Sequence, residues 1–363
     1  MVRNRTHRLA PEPSRNRGPL HLAASMPALA VRVRELARIP GFATPERPPP
    51  TAFRWPDQRE DPTSMDSVLP AGPVTRPAPP SAFRAGASAL HHPPLRATGH
   101  GTAEADVWAG LRGEAEAALI EEPLYAGIIQ ATILDQRGLP QALAYRLAHR
   151  LGDGDLARLS MRDLCLAAFE ADPQAGAHAV RDLIAIRERD PTCRRYLDPF
   201  LFYKGFAALE GYRVAHWLWH QGRMTLALHV QSRISEVFGC DIHPAARIGS
   251  GVFIDHATGV VIGETTVVAD DVSILQAVTL GGNGKESGDR HPKIERGVLL
   301  SVGAKVLGNI RVGEGAKVAA AAVVLHDVPP HTTVAGVPAR VVSRLPISEE
   351  PALTMDQFFG DGI

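Results

Sequence analysis

From Ile242 onward the aliphatic residues recur every sixth position, a spacing that neither a 3.6-residue helix nor a two-residue strand alternation produces. Ile242, Ile248 and Ile254 form one ladder; Ile262, Val268, Ile274 and Leu280 a second; Ile294, Leu300, Val306, Val312, Val318 and Val324 a third. Two positions before a rung the residue is usually small or aliphatic, as in Ala246, Val252, Val260, Val272 and Ala304. One six-residue unit is a short strand and a turn. Three make a triangular coil of about eighteen residues, which cannot bury its own aliphatics until further coils stack on it. Glycines 249, 263, 281 and 313 directly follow rungs, where a tight turn needs little bulk.

The ladders are interrupted twice. Ile254 and Ile262 are eight apart, and Asp255 and His256 occupy the slip; Leu280 and Ile294 are fourteen apart, separated by the glycine-rich, charged stretch GGNGKESGDRHPK. The second interruption reads as a loop thrown out of the coil, and loops on a rigid scaffold commonly carry function. The first lets a side chain escape the inward alternation. A carboxylate nearly one coil earlier, Asp241, can come near His256, and an imidazole oriented by a carboxylate is a general base at neutral pH. On the residues alone, a single histidine in a β-rich segment is more often a satisfied structural residue than a catalytic one.

The rest of the chain divides by composition. Residues 1–103 hold 18 of the 30 prolines, with RPPP at 47–50 and RPAPP at 76–80, and too few clustered apolar residues for a core; they are expected to be a disordered Pro/Arg-rich extension. Their arginines suit an organelle transit peptide, while the proline density fits a bacterial tail or an over-extended start better. Residues 104–238 show helical spacing, as in Phe202, Phe206 and Leu209 or Leu226, Val230, Ile234 and Val237, punctuated by Gly138, Gly152 and Asp190-Pro191. Residues 239–344 form the solenoid and 345–363 a flexible tail. The expected class is α+β: an all-helical N-terminal domain followed by a parallel β-solenoid.

Among all 363 residues, 39 basic side chains balance 39 acidic ones, which removes the electrostatic signature of nucleic-acid binding. No apolar run is long enough to cross a membrane. The three cysteines lack metal-ligand or paired spacing, so they read as reduced thiols. A cytoplasmic location is expected, or an organelle if the extension includes a transit peptide.

Five segments carry a resemblance: DIHPAARIG (241–249), DHATGVVIGET (255–265), VSILQAVTLGG (272–282), GDRHPKI (288–294) and HTTVAGVPARVV (331–342). Together with the helical half, from about Val107 to Arg344, the chain resembles the serine acetyltransferase family of hexapeptide-repeat acyltransferases. The resemblance implies a left-handed parallel β-helix and transfer of acetyl from acetyl-CoA, a co-substrate rather than a tightly bound cofactor, to L-serine, the first committed step of cysteine biosynthesis. It implies His256 as general base with Asp241 orienting it. Asp190 and Asp255 would bind the serine amino group, Arg290 and His291 its carboxylate, a task suited to an arginine fork. Direct attack on the thioester needs no protein nucleophile, and backbone donors near Gly281 and Gly282 suit the oxyanion, worth roughly 2.7–4 kcal/mol where such a donor has been removed.

Gly282, Val302, Lys317 and Ala320 match positions along which coenzyme A lies; Lys317 taken alone reads as a solvated charge. The resemblance also implies a hexamer, a dimer of trimers with sites between chains, cysteine as feedback inhibitor, and a tail whose terminal Ile363 docks into O-acetylserine sulfhydrylase. The chain departs from the family in having Ala319-Ala320-Ala321-Ala322 for Gly-Ala-Gly-Ser, Leu300-Ser301-Val302 for Ile-Gly-Ala, and Asn283 for threonine. Alanine is expected in that turn only with negative φ. Three other readings stay open on the sequence: a γ-type carbonic anhydrase with His256, His291 and His331 on zinc, a non-catalytic scaffold regulating the sulfhydrylase, and an acetyltransferase acting on a sugar hydroxyl. The favoured reading has no metal.

Overall fold

The computed structural model describes the chain from residue 100 onward, except 285–286 and 358–363. The proline-rich segment through residue 99 and Ile363 therefore lie outside the described residues.

Seven longer helices come first: α1 (His100–Glu121), α2 (Leu139–Leu151), α3 (Arg158–Ala171), α4 (Pro173–Arg189), α5 (Leu197–Phe202), α6 (Lys204–His220) and α7 (Met224–Phe238). An irregular helical passage, 123–134, joins α1 to α2. Asp172 caps α4 by accepting from Gln174 N–H, with Pro173 in the first turn where its missing donor costs nothing. Phe202 and Phe206 do not share a helix, because α5 ends at Phe202 and α6 starts at Lys204; Phe206 is buried and Phe202 is half exposed. Gly239 ends α7 in the left-handed conformation, φ +68°, and the solenoid begins at the next residue.

The solenoid has three walls of parallel strands. A five-stranded wall runs through Cys240–Ile242, Val260–Ile262, Thr279–Gly281, Lys305–Leu307 and Val323–Val324. A four-stranded wall holds Arg247–Ile248, Val267–Val268, Lys293–Ile294 and Arg311–Val312. A six-stranded wall holds Phe253–Ile254, Ser273–Ile274, Leu299–Leu300, Lys317–Val318 and Thr332–Ala335, closed by the antiparallel strand Arg340–Arg344.

Register turns the sequence ladders into stacks. Ile242 lies on Ile262, Leu280, Val306 and Val324; Ile248 on Val268, Ile294 and Val312; Ile254 on Ile274, Leu300 and Val318. All of these side chains are buried. Each contributes roughly 1.5–3 kcal/mol relative to exposure, so the stacked core rather than local propensity holds the coil.

Coil length records both interruptions. Regular coils advance by eighteen residues, as from Lys293 to Arg311; the first advances by twenty, Cys240 to Val260; and the coil containing the loop by twenty-six, Val267 to Lys293. The tail, expected to be flexible, is docked in part: α8 (Pro351–Thr354) lies against the six-stranded wall with Ala352 fully buried, and Ser273 Oγ donates to Ala352 O at 2.8 Å.

Candidate active site

Two corners of the solenoid carry the polar side chains expected to act. The first joins the six-stranded wall to the five-stranded wall at residues 255–259. Asp255 N–H still donates to Ile274 O, at 2.8 Å, so the ladder holds to that point. Then His256 and Ala257 both take left-handed backbone, φ +55° and +57°. Two tight turns follow, with Ala257 N–H on Asp255 O at 2.6 Å and Thr258 N–H on His256 O at 2.7 Å. Left-handed geometry costs a non-glycine residue roughly 1–2 kcal/mol, and such strain concentrates at functional sites. It accommodates the two extra residues, turning Ala257 into the core and leaving the His256 side chain 70% exposed.

Asp255 Oδ2 lies 3.7 Å from His256 Nε2. Asp190, the C-cap of α4, faces the same corner. Its Oδ1 accepts from Thr192 N–H at 2.8 Å and Thr192 Oγ1 at 2.7 Å, and its Oδ2 from Tyr203 OH at 2.8 Å. Burial works against the Asp190 charge, but these hydrogen bonds outweigh it and hold the carboxyl below its usual range. Asp255 goes the other way: burial raises its pKa, the His256 imidazole opposes this, and the Asp190 charge adds to it. Two mutually repelling carboxylates, one of them partly desolvated, favour a cation between them.

Sequence patterning missed what brings these acids together. Tyr203 and Thr192 belong to no motif that announces them. Gly205 is required because a Cβ there would sit 1.9 Å from Ile254 O, where the first turn of α6 rests on the strand that delivers Asp255.

Asp241 stands on the five-stranded wall opposite Val261. Its carboxylate accepts from Gln231 Nε2 at 2.7 Å, whereas the carboxylate paired with His256, among the described residues, is that of Asp255. The expectation that Asp241 approaches the imidazole assumed an eighteen-residue coil, and this coil has twenty.

The second corner joins the five-stranded wall to the four-stranded one. Thr265 organises it: its Oγ1 accepts from Arg290 N–H at 3.0 Å and His291 N–H at 3.1 Å, and lies 2.9 Å from His291 Nδ1. Thr265 N–H also donates to Nδ1, at 3.2 Å, which places the proton of a neutral His291 on Nε2. Burial and the neighbouring Arg290 push the His291 pKa down, so the ring is neutral at neutral pH. Arg290 Nη2 donates to Glu264 Oε2 at 2.7 Å, and that bond holds Glu264 below its ordinary range. Lys293 Nζ ties the loop down through Asp289 Oδ1, Thr265 O and His291 O at 2.6, 3.0 and 2.7 Å.

Glycine is needed here for clearance. A Cβ on Gly263 would lie 2.1 Å from the His291 ring, and one on Gly282 3.3 Å from Arg290 Cγ. Gly249, Gly263, Gly281 and Gly313 all lack positive φ; crowding from the next coil, rather than turn geometry, excludes side chains at three of them, against Asp270, His291 and Pro330.

The coenzyme positions divide among three places. Ala277 N–H donates to Thr258 O, Gly303 N–H to Gln276 O and Ala321 N–H to Val302 O, so Val302 and Ala320 continue the column of corners that starts at His256. Three coil spacings of about 4.8 Å make that column about 14 Å long. Gly282 belongs to the second corner. Lys317 contradicts the reading as a solvated charge: it is 2% exposed on the six-stranded wall and pairs with Asp356 of the tail at 3.2 Å. Ala321 also corrects an expectation, since it takes the turn with φ +55°, bearing a strain that glycine would not.

His256, His291 and His331 occupy three different corners, and among the described residues no group of three or more His, Cys, Asp or Glu is placed to hold a metal ion. Within one chain, therefore, these three histidines do not share one coordination shell. Among the described residues no helix is long and apolar enough to cross a membrane.

The stacked six-residue coils, the extruded loop and the helical half define a hexapeptide-repeat solenoid with a polar corner site. Residues 107–211 match the family model described as serine acetyltransferase, N-terminal. The serine acetyltransferase of Salmonella typhimurium is 51% identical over 266 residues, spanning 71% of this chain and 97% of that protein. A solved serine acetyltransferase in complex with cysteine is 48% identical and superposes with a TM-score of 0.70 over 70% of this chain and 99% of that one. The Brucella abortus serine acetyltransferase in complex with coenzyme A is 50% identical, with a TM-score of 0.66 over 66% and 96%. The chain belongs to the serine acetyltransferase family, and it is an acyltransferase.

Proposed function

We propose that this chain transfers the acetyl group of acetyl-CoA to the hydroxyl of L-serine, giving O-acetyl-L-serine and CoA, with His256 as general base. The observation that carries this reading is the first corner: an exposed imidazole on strained backbone beside Asp255, with Asp190 facing it. His256 takes the hydroxyl proton as the oxygen attacks the thioester carbon; the tetrahedral oxyanion collapses and releases the thiol, which recovers the proton. Asp241 orients the base by resemblance to the family alone, since its carboxylate here accepts from Gln231. Acetyl-CoA lies along the column from His256 to Val302 and Ala320, with Gly282 at the facing corner and Lys317 too buried to reach it directly; a relative solved in complex with coenzyme A supports binding of this co-substrate.

Asp190 and Asp255 hold the ammonium of serine, while Arg290 and His291 hold its carboxylate. Within one chain these sets sit at opposite edges of the five-stranded wall, so a site gripping both ends of one small amino acid is completed by a second copy. This supports a trimer, with the helical halves joining two trimers into a hexamer. Cysteine, which has the same ammonium and carboxylate, competes at this site as feedback inhibitor, in line with the cysteine-bound relative. The tail ending at Ile363 docks into O-acetylserine sulfhydrylase, which consumes the product; the enzyme is cytoplasmic.

The test is acetyl-CoA turnover with L-serine beside homoserine and a sugar acceptor. Serine is expected to be preferred, and His256→Ala to lower kcat by roughly 10²–10⁴. Full activity in folded His256→Ala, or turnover independent of serine, contradicts the reading.

A further inference from the structure

Asp190 follows a guanidinium with almost no access to solvent. The Arg189 side chain is 3% exposed; its Nη1 donates to Ser273 Oγ at 3.1 Å and its Nη2 to Asp271 Oδ1 at 3.4 Å, while its Nε is buried with no hydrogen-bond partner. Asp271 is shared, since Arg181 and Arg296 reach it at 3.1 and 3.2 Å. One shared carboxylate and an unsatisfied donor make this a poor stabilising device, because an apolar side chain of similar volume at a buried ionic position is often neutral or better.

Its location gives it another use. Seven residues earlier on α4, buried Asp182 accepts from Val252 N–H at 2.8 Å through Oδ1 and from Arg213 through Oδ2. Val252 precedes the strand Phe253–Ile254 that leads into Asp255, and Ser273 is the register partner of Phe253. The helix is therefore pinned twice, about 10 Å apart along its axis, to the strand pair that delivers the other acid. Asp182 sets where the helix lies, and Arg189 sets where it ends.

We propose that Arg189 is a positioning residue for amino-group recognition: by locking the last turn of α4 onto Ser273 and Asp271, it holds Asp190 opposite Asp255 so that both carboxylates take one primary ammonium. This rests on the reading of Asp190 and Asp255 as the ammonium clamp.

The experiment uses the full chain with Arg189→Met, Arg189→Lys, Asp190→Asn and the Arg189→Met/Asp190→Asn double variant. It compares L-serine with 3-hydroxypropionate, which is serine without its amino group. Losing a charge-assisted contact predicts that Arg189→Met raises the KM for serine about tenfold. The KM for acetyl-CoA stays within about twofold, and the preference for serine over 3-hydroxypropionate shrinks by the same factor as the serine effect. Arg189→Lys recovers part of the loss. The double variant is no worse than Asp190→Asn alone, because residues acting through one another do not add.

Equal losses on both acceptors, or a double variant showing the product of the single effects, overturn the proposal and make Arg189 merely structural. An Asp190→Asn variant with unchanged serine KM removes the clamp itself, and the proposal falls with it; a defect in Asp190→Asn without one in Arg189→Met removes the proposal alone. Ser273→Ala, which deletes the Nη1 acceptor and keeps the charge, must show the same selective signature, and decides between the two outcomes if Arg189→Met does not fold.

Discussion

The two corners flanking the five-stranded wall reach exposed polar chemistry by opposite routes. The first adds two residues and accepts strain: His256 and Ala257 take left-handed backbone so that one side chain leaves the core. The second adds eight and relies on clearance, since Gly263 makes room for the His291 ring and Thr265 satisfies the loop that returns it. A short insertion in a stacked coil must be taken up by dihedral angles, and a long one by packing. The first corner is negative and the second carries Arg290, so each supplies what the other lacks for a zwitterion.

That contrast can be broken from either side. The largest effect is expected at the second corner, where Gly263→Ala places a methyl group inside the His291 ring position and forces ring and loop to move. Losing hydrogen bonds to a substrate carboxylate costs about 1.5–3 kcal/mol, so the KM for serine should rise roughly 10–100-fold while acetyl-CoA binding changes little. An unchanged serine KM in this variant removes His291 from the site.

At the first corner, Asp190→Asn should weaken serine binding about tenfold, the loss of one charged contact. It should also shift the acid limb of kcat/KM for serine. Asp255 must be ionised to hold an ammonium, and its pKa is raised by burial and by the Asp190 charge. Neutralising residue 190 removes part of that rise, so the limb moves to lower pH. Movement to higher pH contradicts the coupling.

The smallest effect sharpens the link between strain and function. Ala321 is as left-handed as His256 but bears no reactive group. Ala321→Gly should therefore stabilise the fold by about 1 kcal/mol in denaturant unfolding, because glycine carries no Cβ penalty at positive φ. A loss of stability means the turn is held by packing of that methyl group.

Much of this architecture is written in the chain. The six-residue ladders are legible because each rung is buried by the coil above it, and register stacks Ile242, Ile262, Leu280 and Val306 as their spacing requires. The slip at Asp255 and His256 is legible as a departure from that spacing. Tyr203, Thr192 and Gly205 were not, because their roles depend on how α6 and the end of α4 meet the coil, which no periodicity within either segment encodes. The pairing of Lys317 is hidden for the same reason: its partner Asp356 lies in the tail, thirty-nine positions away. The clearance at Gly263 was likewise invisible, since it is set by a ring twenty-eight residues later.

The central claim is that the negative corner of one chain works with the cationic corner of another. It is tested most directly by unfolding His256→Ala and Arg290→Ala chains together, refolding the mixture and measuring serine acetylation. Each variant alone is expected to be nearly inactive. If the sites form between copies, random assembly pairs an intact first corner with an intact second corner in about one quarter of sites, and activity returns to about that fraction. A mixture no more active than the separate variants contradicts the account and places both corners' work within a single chain.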